Sequence, residues 1–535
     1  MGSKKLIIMV VWLVVLASVA TVLRLFVFPA KKQQELDATS SSSQYEHEIA
    51  IGLDGFSGYS ILRSEPFQRR LKDSKIKVEY KDDKADTIRR IKGLQDESLD
   101  LAVFTLDSLI ASSIEISDFP GTIILVIDET RGADAIVART SSVPNLQALN
   151  NSNARIVGTS NSPSEFLSRT VRANFNLPDM NSNWFEGVDG PDEVMKKLKA
   201  GSSEPRAYAL WEPYVSQAKE IDGVDIIFDS SAVRGHVVDV LVARRGFLTN
   251  NYEQAKEVVE AYLSTSYEYR KPESMVDLVI KDAKALGDPL RRPQAQSIVD
   301  GIIWRNTLEN FAYFGMLHRH ESGGITHIED SIVTINDVLI KTGAVPDNNK
   351  VVGSENLLYF DGIMNDLQSS NFHPKTSSSS SSATTLGDAL NGSGGSLEAV
   401  RSDTELVALS DNEWNRLIAV GQIKTDPINF GRNSTKLFPQ GQRDLRKIAD
   451  TLKSFPNYYL QIVGNVSFVP SPDMDQNEIE EIRKASSDLA EARANAVSEY
   501  LNSIGVHKNR IRSVASAPSK SSKGSVSFLV GQKTY

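Results

Sequence analysis

The chain contains no cysteine. Thiol catalysis, iron–sulfur ligation, disulfide staples and cysteine-bound zinc are therefore excluded. The absence fits an oxidising compartment, where a stray thiol is a hazard, without requiring one. Positive charge is in deficit: 59 lysines and arginines stand against 68 aspartates and glutamates, a net charge of −9. Phosphate contacts need a basic face, so no nucleic-acid partner is expected. Catalytic motifs are lacking too. Gly55-Phe56-Ser57-Gly58-Tyr59 fails the Gly-x-Ser-x-Gly elbow at its last position. No Walker A sequence occurs, and no Gly-x-Gly-x-x-Gly opens a helix after a strand. His318, His320 and His327 gather near Glu321, but i, i+2 spacing does not share a helical face. They read as loop histidines and no metal site is expected. With no cofactor motif, activated nucleophile or acid–base pair in view, the chain reads as a non-enzyme.

Its 535 residues predict about three domains. Leu6 to Leu23 is an uncharged, mostly aliphatic run, interrupted by Arg24 and resumed to Phe28. At about 1.5 Å per residue such a helix matches a hydrocarbon core of about 30 Å. Residues 1–5 are then a cytoplasmic N-terminus, 6–28 a transmembrane helix and 29–47 a polar tether. The competing reading is a cleaved signal peptide, for which Ala17-Ser18-Val19-Ala20 mimics a cleavage site inside the run. Lys4 and Lys5 before the run are matched by Arg24, Lys31 and Lys32 after it, so flanking charge does not fix the orientation.

From Glu48 to about Val345, short apolar runs alternate with helical patterns such as Pro163–Phe175. Alternation of this kind predicts an α/β unit over 48–345, with a largely parallel sheet and helices on both faces. Residues 346–402, with the hexaserine Ser377–Ser382 and the Gly/Ser stretch Asn391–Ser396, read as a flexible linker. Val351–Leu367 is the one stretch of it with a helical pattern. A smaller α+β unit spans 403–535. There Leu445, Ile448, Ala449 and Leu452 stripe one helix. Tyr458–Val463 is a strand, a polar excursion runs to Ser487, and Leu489 to Tyr500 stripe a second helix ended by Gly505.

Loops at strand C-termini carry ligands in open α/β sheets. Ser57 and Tyr59 follow the first strand; Thr105 and Asp107 follow the third; Thr130 and Asp134 flank a later turn. Ser160 and Ser162 open a helix, where free N–H groups suit an anion. Ser162 also reads as a plain N-cap, with Pro163 at N1 and Glu165 at N3.

Strand-Gly-Phe-Ser-Gly-Tyr, then Asp100-Leu101-Ala102-Val103-Phe104, then Trp211-Glu212-Pro213-Tyr214 resembles the periplasmic substrate-binding proteins of the taurine, sulfonate, nitrate and thiamine-precursor group. The resemblance implies two lobes joined by crossovers near Arg139–Ser142 and Ser231–Gly235, with lobe 2 over about 140–233. It implies a cleft lined by Ser57, Tyr59, Thr105, Asp107, Thr130, Asp134, Ser160, Ser162, Trp211 and Glu212. Trp211 reads equally as a core aromatic beneath that cleft. Asp107, Asp134 and Glu212 favour an amine or polar neutral solute, whereas the serines and helix start favour an anion. No arginine marks a bidentate clamp; Arg131 is the nearest, and reads as a surface residue.

Ile428-Asn429-Phe430, Leu460-Gln461-Ile462-Val463-Gly464-Asn465 and Leu489-Ala490-Glu491-Ala492-Arg493-Ala494 resemble the OmpA-like peptidoglycan-associated domain. The resemblance implies binding of wall-peptide diaminopimelate, through Asn465, Ser467 and Arg493 here. Ser467 stands where the family carries an aspartate, so the counter-charge for a ligand ammonium is lost; Asp473 and Asp475 are its nearest substitutes. Arg493 also reads as half of a structural salt bridge. With Leu409 to Trp414 and Val420-Gly421, the whole resembles a bacterial family of phosphate-type ABC substrate-binding/OmpA proteins. The expectation is an inner-membrane, single-pass protein with its bulk in the periplasm. It would capture a small polar or anionic solute, with an ABC permease as partner, and hold peptidoglycan. The alternative is a structural or sensory wall-linked scaffold with a degenerate cleft.

Overall fold

The computed structural model describes residues 45–318, 321–375, 397–401, 407–471, 474–518 and 525–533. The expected transmembrane segment 6–28 lies outside them, as do most of the tether, His320, the hexaserine and Asp473. Among the described residues, no helix is long and apolar enough to cross a membrane.

The first lobe is built on β1 (His47–Leu53), β2 (Ile76–Asp82), β3 (Leu101–Thr105), β4 (Gly121–Thr130), β10 (Val238–Arg244) and β11 (Ile302–Trp304). The sheet order is β11-β4-β10-β3-β1-β2. All ten residues of β4 are buried, as a strand covered on both faces requires. The second lobe holds β5 (Asp134–Arg139), β6 (Arg155–Thr159), β7 (Phe185–Val188), β8 (Arg206–Trp211) and β9 (Val224–Asp229), in the order β7-β6-β8-β5-β9.

Neither sheet is wholly parallel. β10 runs antiparallel to β3 and β4, and β5 antiparallel to β8 and β9. The reason is geometric. β4 ends at the junction between lobes, so the strand that leaves the junction must run away from it, against neighbours that end there. β10 makes the same reversal on the way back.

The chain passes from the first sheet to the second through residues 131–133, and returns through 230–237. The first crossover is therefore earlier than Arg139–Ser142, and the second lobe begins at Asp134, not near 140. Ala133–Ala138 reads as a strand in sequence, but its apolar run carries no mark of which sheet it joins.

Residues 346–375 are not a free linker. Val351, Leu358, Ile363, Met364 and Leu367 belong to the first lobe's core. Ile123 on β4 donates its N–H to Leu358 O, at 2.8 Å, and accepts from Phe360 N, also at 2.8 Å.

The third unit has β12 (Ile418–Gln422), β14 (Tyr459–Gly464), β15 (Ile511–Ala515) and β16 (Ser525–Gln532), in the order β12-β16-β14-β15, with β13 (Ile428–Asn429) on β16. Two helices, Pro439–Ser454 and Gln476–Ser503, cover it. The second starts well before Leu489, in the expected polar excursion. Asp475 caps it, accepting from Glu478 N at 2.8 Å, while Glu478 reaches back to Asp475 N. Its first turns are solvated all round, so they carry no apolar stripe to read; burial begins at Ala490.

The third unit shares a core with the second lobe. Phe175 meets Phe228 and Phe455 edge-on, at 5.8 and 5.9 Å between ring centres. Asn176 N donates to Gln422 O at 2.7 Å and Lys424 N to Asn174 O at 2.8 Å. Arg234 N, in the second crossover, donates to Ser454 O at 2.7 Å.

Candidate solute cleft and wall-domain site

Carboxylates gather where the lobes meet. Asp128 and Asp239 are register partners on β4 and β10, and both are fully buried. The Tyr59 hydroxyl donates to Asp239. Burial pushes both acids up, and the neighbouring Asp128 charge pushes Asp239 further. The Gly55–Tyr59 turn is locked over this pair. Trp304 Nε1 donates to Gly58 O at 2.8 Å, and a Cβ on Gly58 would lie 2.5 Å from Asp128 Oδ2.

The two crossovers are pinned by one acid. Glu129 accepts from Arg131 Nε at 2.7 Å, Gly235 N at 2.8 Å and the Tyr313 hydroxyl at 3.1 Å, and pairs with Arg305. Burial works against its charge, but Arg305 and Arg131 outweigh burial and hold it at about 2. Arg131 is thus part of a largely buried ion pair, not a surface residue.

Asp134 Oδ2 accepts from Thr130 Oγ1 at 2.9 Å, and Oδ1 from Ser164 Oγ at 3.1 Å, across the first crossover. Burial raises Asp134 to about 6. Glu212 accepts from Ser216 Oγ and Ser297 Oγ, each at 2.9 Å. Trp211 is half-buried, edge-on to Tyr214 at 6.3 Å. Thr105 Oγ1 donates to Ser108 Oγ at 2.7 Å. Ser57 sits half-buried in its turn, and Ser160 is exposed.

A cavity of about 380 Å³ opens between the lobes. Of the ten expected residues it takes in Asp107 and Ser162, with Ser108, Glu165 and Arg169 beside them. The other eight lie outside its lining. Ser162 is the N-cap of the Pro163–Asn174 helix, accepting from Glu165 N at 3.2 Å and donating to Thr159 O at 2.7 Å. Glu165 turns back and accepts from Asn161 N at 2.7 Å, and pairs with Arg169 at 2.5 Å. The helix start that suited an external anion is therefore filled by the chain's own carboxylate. Asp107, in the first turn of the Leu106–Glu115 helix, is 5% exposed, and its Oδ1 has no hydrogen-bond partner. Burial raises it to about 7.

Among the described residues, no group of three or more His, Cys, Asp or Glu side chains is arranged to hold a metal ion. His327 caps the Ile328–Lys341 helix, accepting from Glu329 N at 3.2 Å.

In the third unit, Arg493 is 5% exposed. Its guanidinium donates to Ser434 O at 3.1 Å and Gly431 O at 3.0 Å, and lies 5.2 Å over the Phe430 ring. It holds the loop after β13 by those carbonyls. Asn465 Oδ1 accepts from Ser516 Oγ at 2.7 Å, and its Nδ2 donates to Val463 O at 3.2 Å. Ser467 is exposed. Asp475 is spent as a helix cap.

Residues 429–526 match the OmpA family, so the C-terminal unit is an OmpA domain. No curated protein matches the chain in sequence. Among solved structures, the chain is similar to the periplasmic aliphatic sulphonate-binding protein SsuA from Escherichia coli, at 15% identity and a TM-score of 0.45, over 59% of this chain and 99% of that one. It is similar to the periplasmic nitrate-binding protein NrtA from Synechocystis PCC 6803, at 11% identity and 0.44, over 60% and 88%. A third is the alkanesulfonate-binding SsuA from Xanthomonas axonopodis pv. citri bound to MOPS, at 13% identity and 0.43, over 58% and 98%.

Proposed function

We propose that the chain is an envelope solute-binding protein that takes one small polar solute between its lobes and associates with the cell wall through its OmpA domain. The observation that carries this reading is the cavity of about 380 Å³, lined from both lobes and holding a buried aspartate with a free oxygen. That volume lies at the small end of ligand pockets, roughly 300–1,000 Å³. A solute touching both lobes favours the closed arrangement by its differential affinity. Residues 6–28 root the protein in the inner membrane, with the bulk in the periplasm, where a wall-binding domain finds its ligand. An ABC permease is the natural receiver of the solute, and no chemistry is assigned to the site.

Wall association would run through Asn465, Ser467 and Arg493. Arg493 already serves the Gly431–Ser434 carbonyls, so its share in wall binding is the weaker half of the proposal. The alternative, a wall-linked scaffold or sensor with a degenerate cleft, draws on a specific observation. Tyr59, Thr130, Asp134 and Glu212 all make hydrogen bonds within the protein.

Thermal shift on the full chain separates the two readings. A bound solute raises the melting temperature by mass action. The shift should vanish in Ala111→Trp, which fills the cavity, provided that variant melts as cooperatively as wild type. No solute-dependent shift in wild type favours the scaffold. Retention on purified sacculi tests the wall contact: equal retention of wild type and a chain lacking residues 425–535 removes it.

A further inference from the structure

We infer that the interlobe cavity is built for a small organic cation, an alkylammonium or guanidinium group, and not for an anion. The inference rests on the solute-capture reading and names the class of solute. Three observations carry it. The cavity lining holds three carboxylates, Asp107, Glu115 and Glu165, against one guanidinium, Arg169. That guanidinium is engaged: Nε and Nη2 bond Glu165 Oε1 at 3.0 and 2.5 Å, and Nη1 reaches Thr342 O at 3.3 Å. An anion would have to displace Glu165 from both Arg169 and Asn161 N–H to gain a partner. Second, Asp107 is 5% exposed, yet its Oδ1 accepts nothing. A buried carboxylate short of donors is costly, and a ligand N–H in the cavity that Asp107 lines would supply one. Third, the three carboxylates are not gathered as a metal site: among the described residues no three His, Cys, Asp or Glu side chains are grouped to hold an ion.

The first turn of a helix gives Asp107 a local reason to be acidic, since the macrodipole favours negative charge there. That explains the residue type. It leaves the free oxygen unexplained, and the cation accounts for it. Ser108, at the same helix start, also lines the cavity.

Titration calorimetry on the full chain tests this with n-butylammonium, n-butanesulfonate and inorganic phosphate. Wild type is expected to bind n-butylammonium and neither anion. Asp107→Asn keeps the shape and removes the charge, and should weaken cation binding about 10- to 100-fold. Glu165→Ala empties the helix start and should admit an anion that wild type refuses. Anion binding by wild type, or cation binding equal in wild type and Asp107→Asn, overturns the assignment and leaves solute capture standing. No heat from n-butylammonium in wild type also overturns it; capture is then judged separately, by whether Ala111→Trp abolishes the thermal shift given by any other solute.

Discussion

Asp107 in the cleft and Arg493 in the OmpA domain pose the same problem, a charged side chain almost out of water, and the protein answers it in opposite ways. Arg493 is provided for: two backbone carbonyls and an aromatic face receive its guanidinium. Asp107 keeps one buried oxygen, Oδ1, without a hydrogen-bond partner. A buried charge that is fully engaged holds structure together, whereas one left short is a place for something to arrive. By that measure the proposed ligand falls to the cleft and not to the OmpA domain's arginine.

The sharpest break in this comparison should come from Asp107→Asn. Folded Asp107 keeps its proton up to about pH 7. In the unfolded chain an aspartate loses its proton near 3.9. Between those values the folded state binds the extra proton, so wild-type stability falls as pH rises through that window. The variant escapes this loss. At about 1.4 kcal/mol per pH unit, it should gain up to about 4 kcal/mol over wild type at pH 8, compared with little at pH 4. Urea unfolding at both pH values reads this directly. A variant less stable than wild type at pH 8 would contradict a buried, under-partnered acid.

A smaller loss is expected from Gly464→Ala. The end of β14 presses on the Gln476–Ser503 helix so closely that a Cβ on Gly464 would lie 1.9 Å from Ala490 O. Backbone has to move, and overpacking of this kind costs about 3 kcal/mol. A melting temperature unchanged from wild type would mean that the strand and helix are not so close. Arg493→Ala should cost about 2 kcal/mol, from two partly buried carbonyls that lose their donor and from the lost contact with the Phe430 ring. If Arg493 were held for the wall instead, the variant would fold as stably as wild type and lose only sacculus retention. Arg493→Lys should not restore stability, because one ammonium cannot reproduce the planar fork.

The same two regions show what could be read beforehand. The strand–helix alternation of 48–345 and the apolar stripe Leu445 to Leu452 were legible because each element buries a periodic face. Asp107 and Ser162 follow strand ends, which is what singled them out in sequence, and both line the cavity. Their neighbours Glu165 and Arg169 were not. Glu165 has a sufficient local role at N3 of its helix, and its second bond, to Asn161 N, depends on how the loop turns. The first crossover was displaced because Ala133–Ala138 looks the same in either sheet. Residues 346–375 passed as linker because one short helical pattern, Val351–Leu367, beside long Ser/Gly tracts carries no mark of which core it joins, although Val351, Leu358 and Ile363 all end in the first lobe's core. Arg493 looked like a ligand group on family grounds; its carbonyl partners at Gly431 and Ser434 lie about 60 residues away in sequence.

The most direct test of the central claim is native mass spectrometry of the full chain, purified under native conditions from its own cells. The account predicts one small molecule retained per chain in wild type, basic in character, and absent from both Ala111→Trp and Asp107→Asn. A bare polypeptide mass in wild type, or the same retained mass in all three proteins, would contradict it.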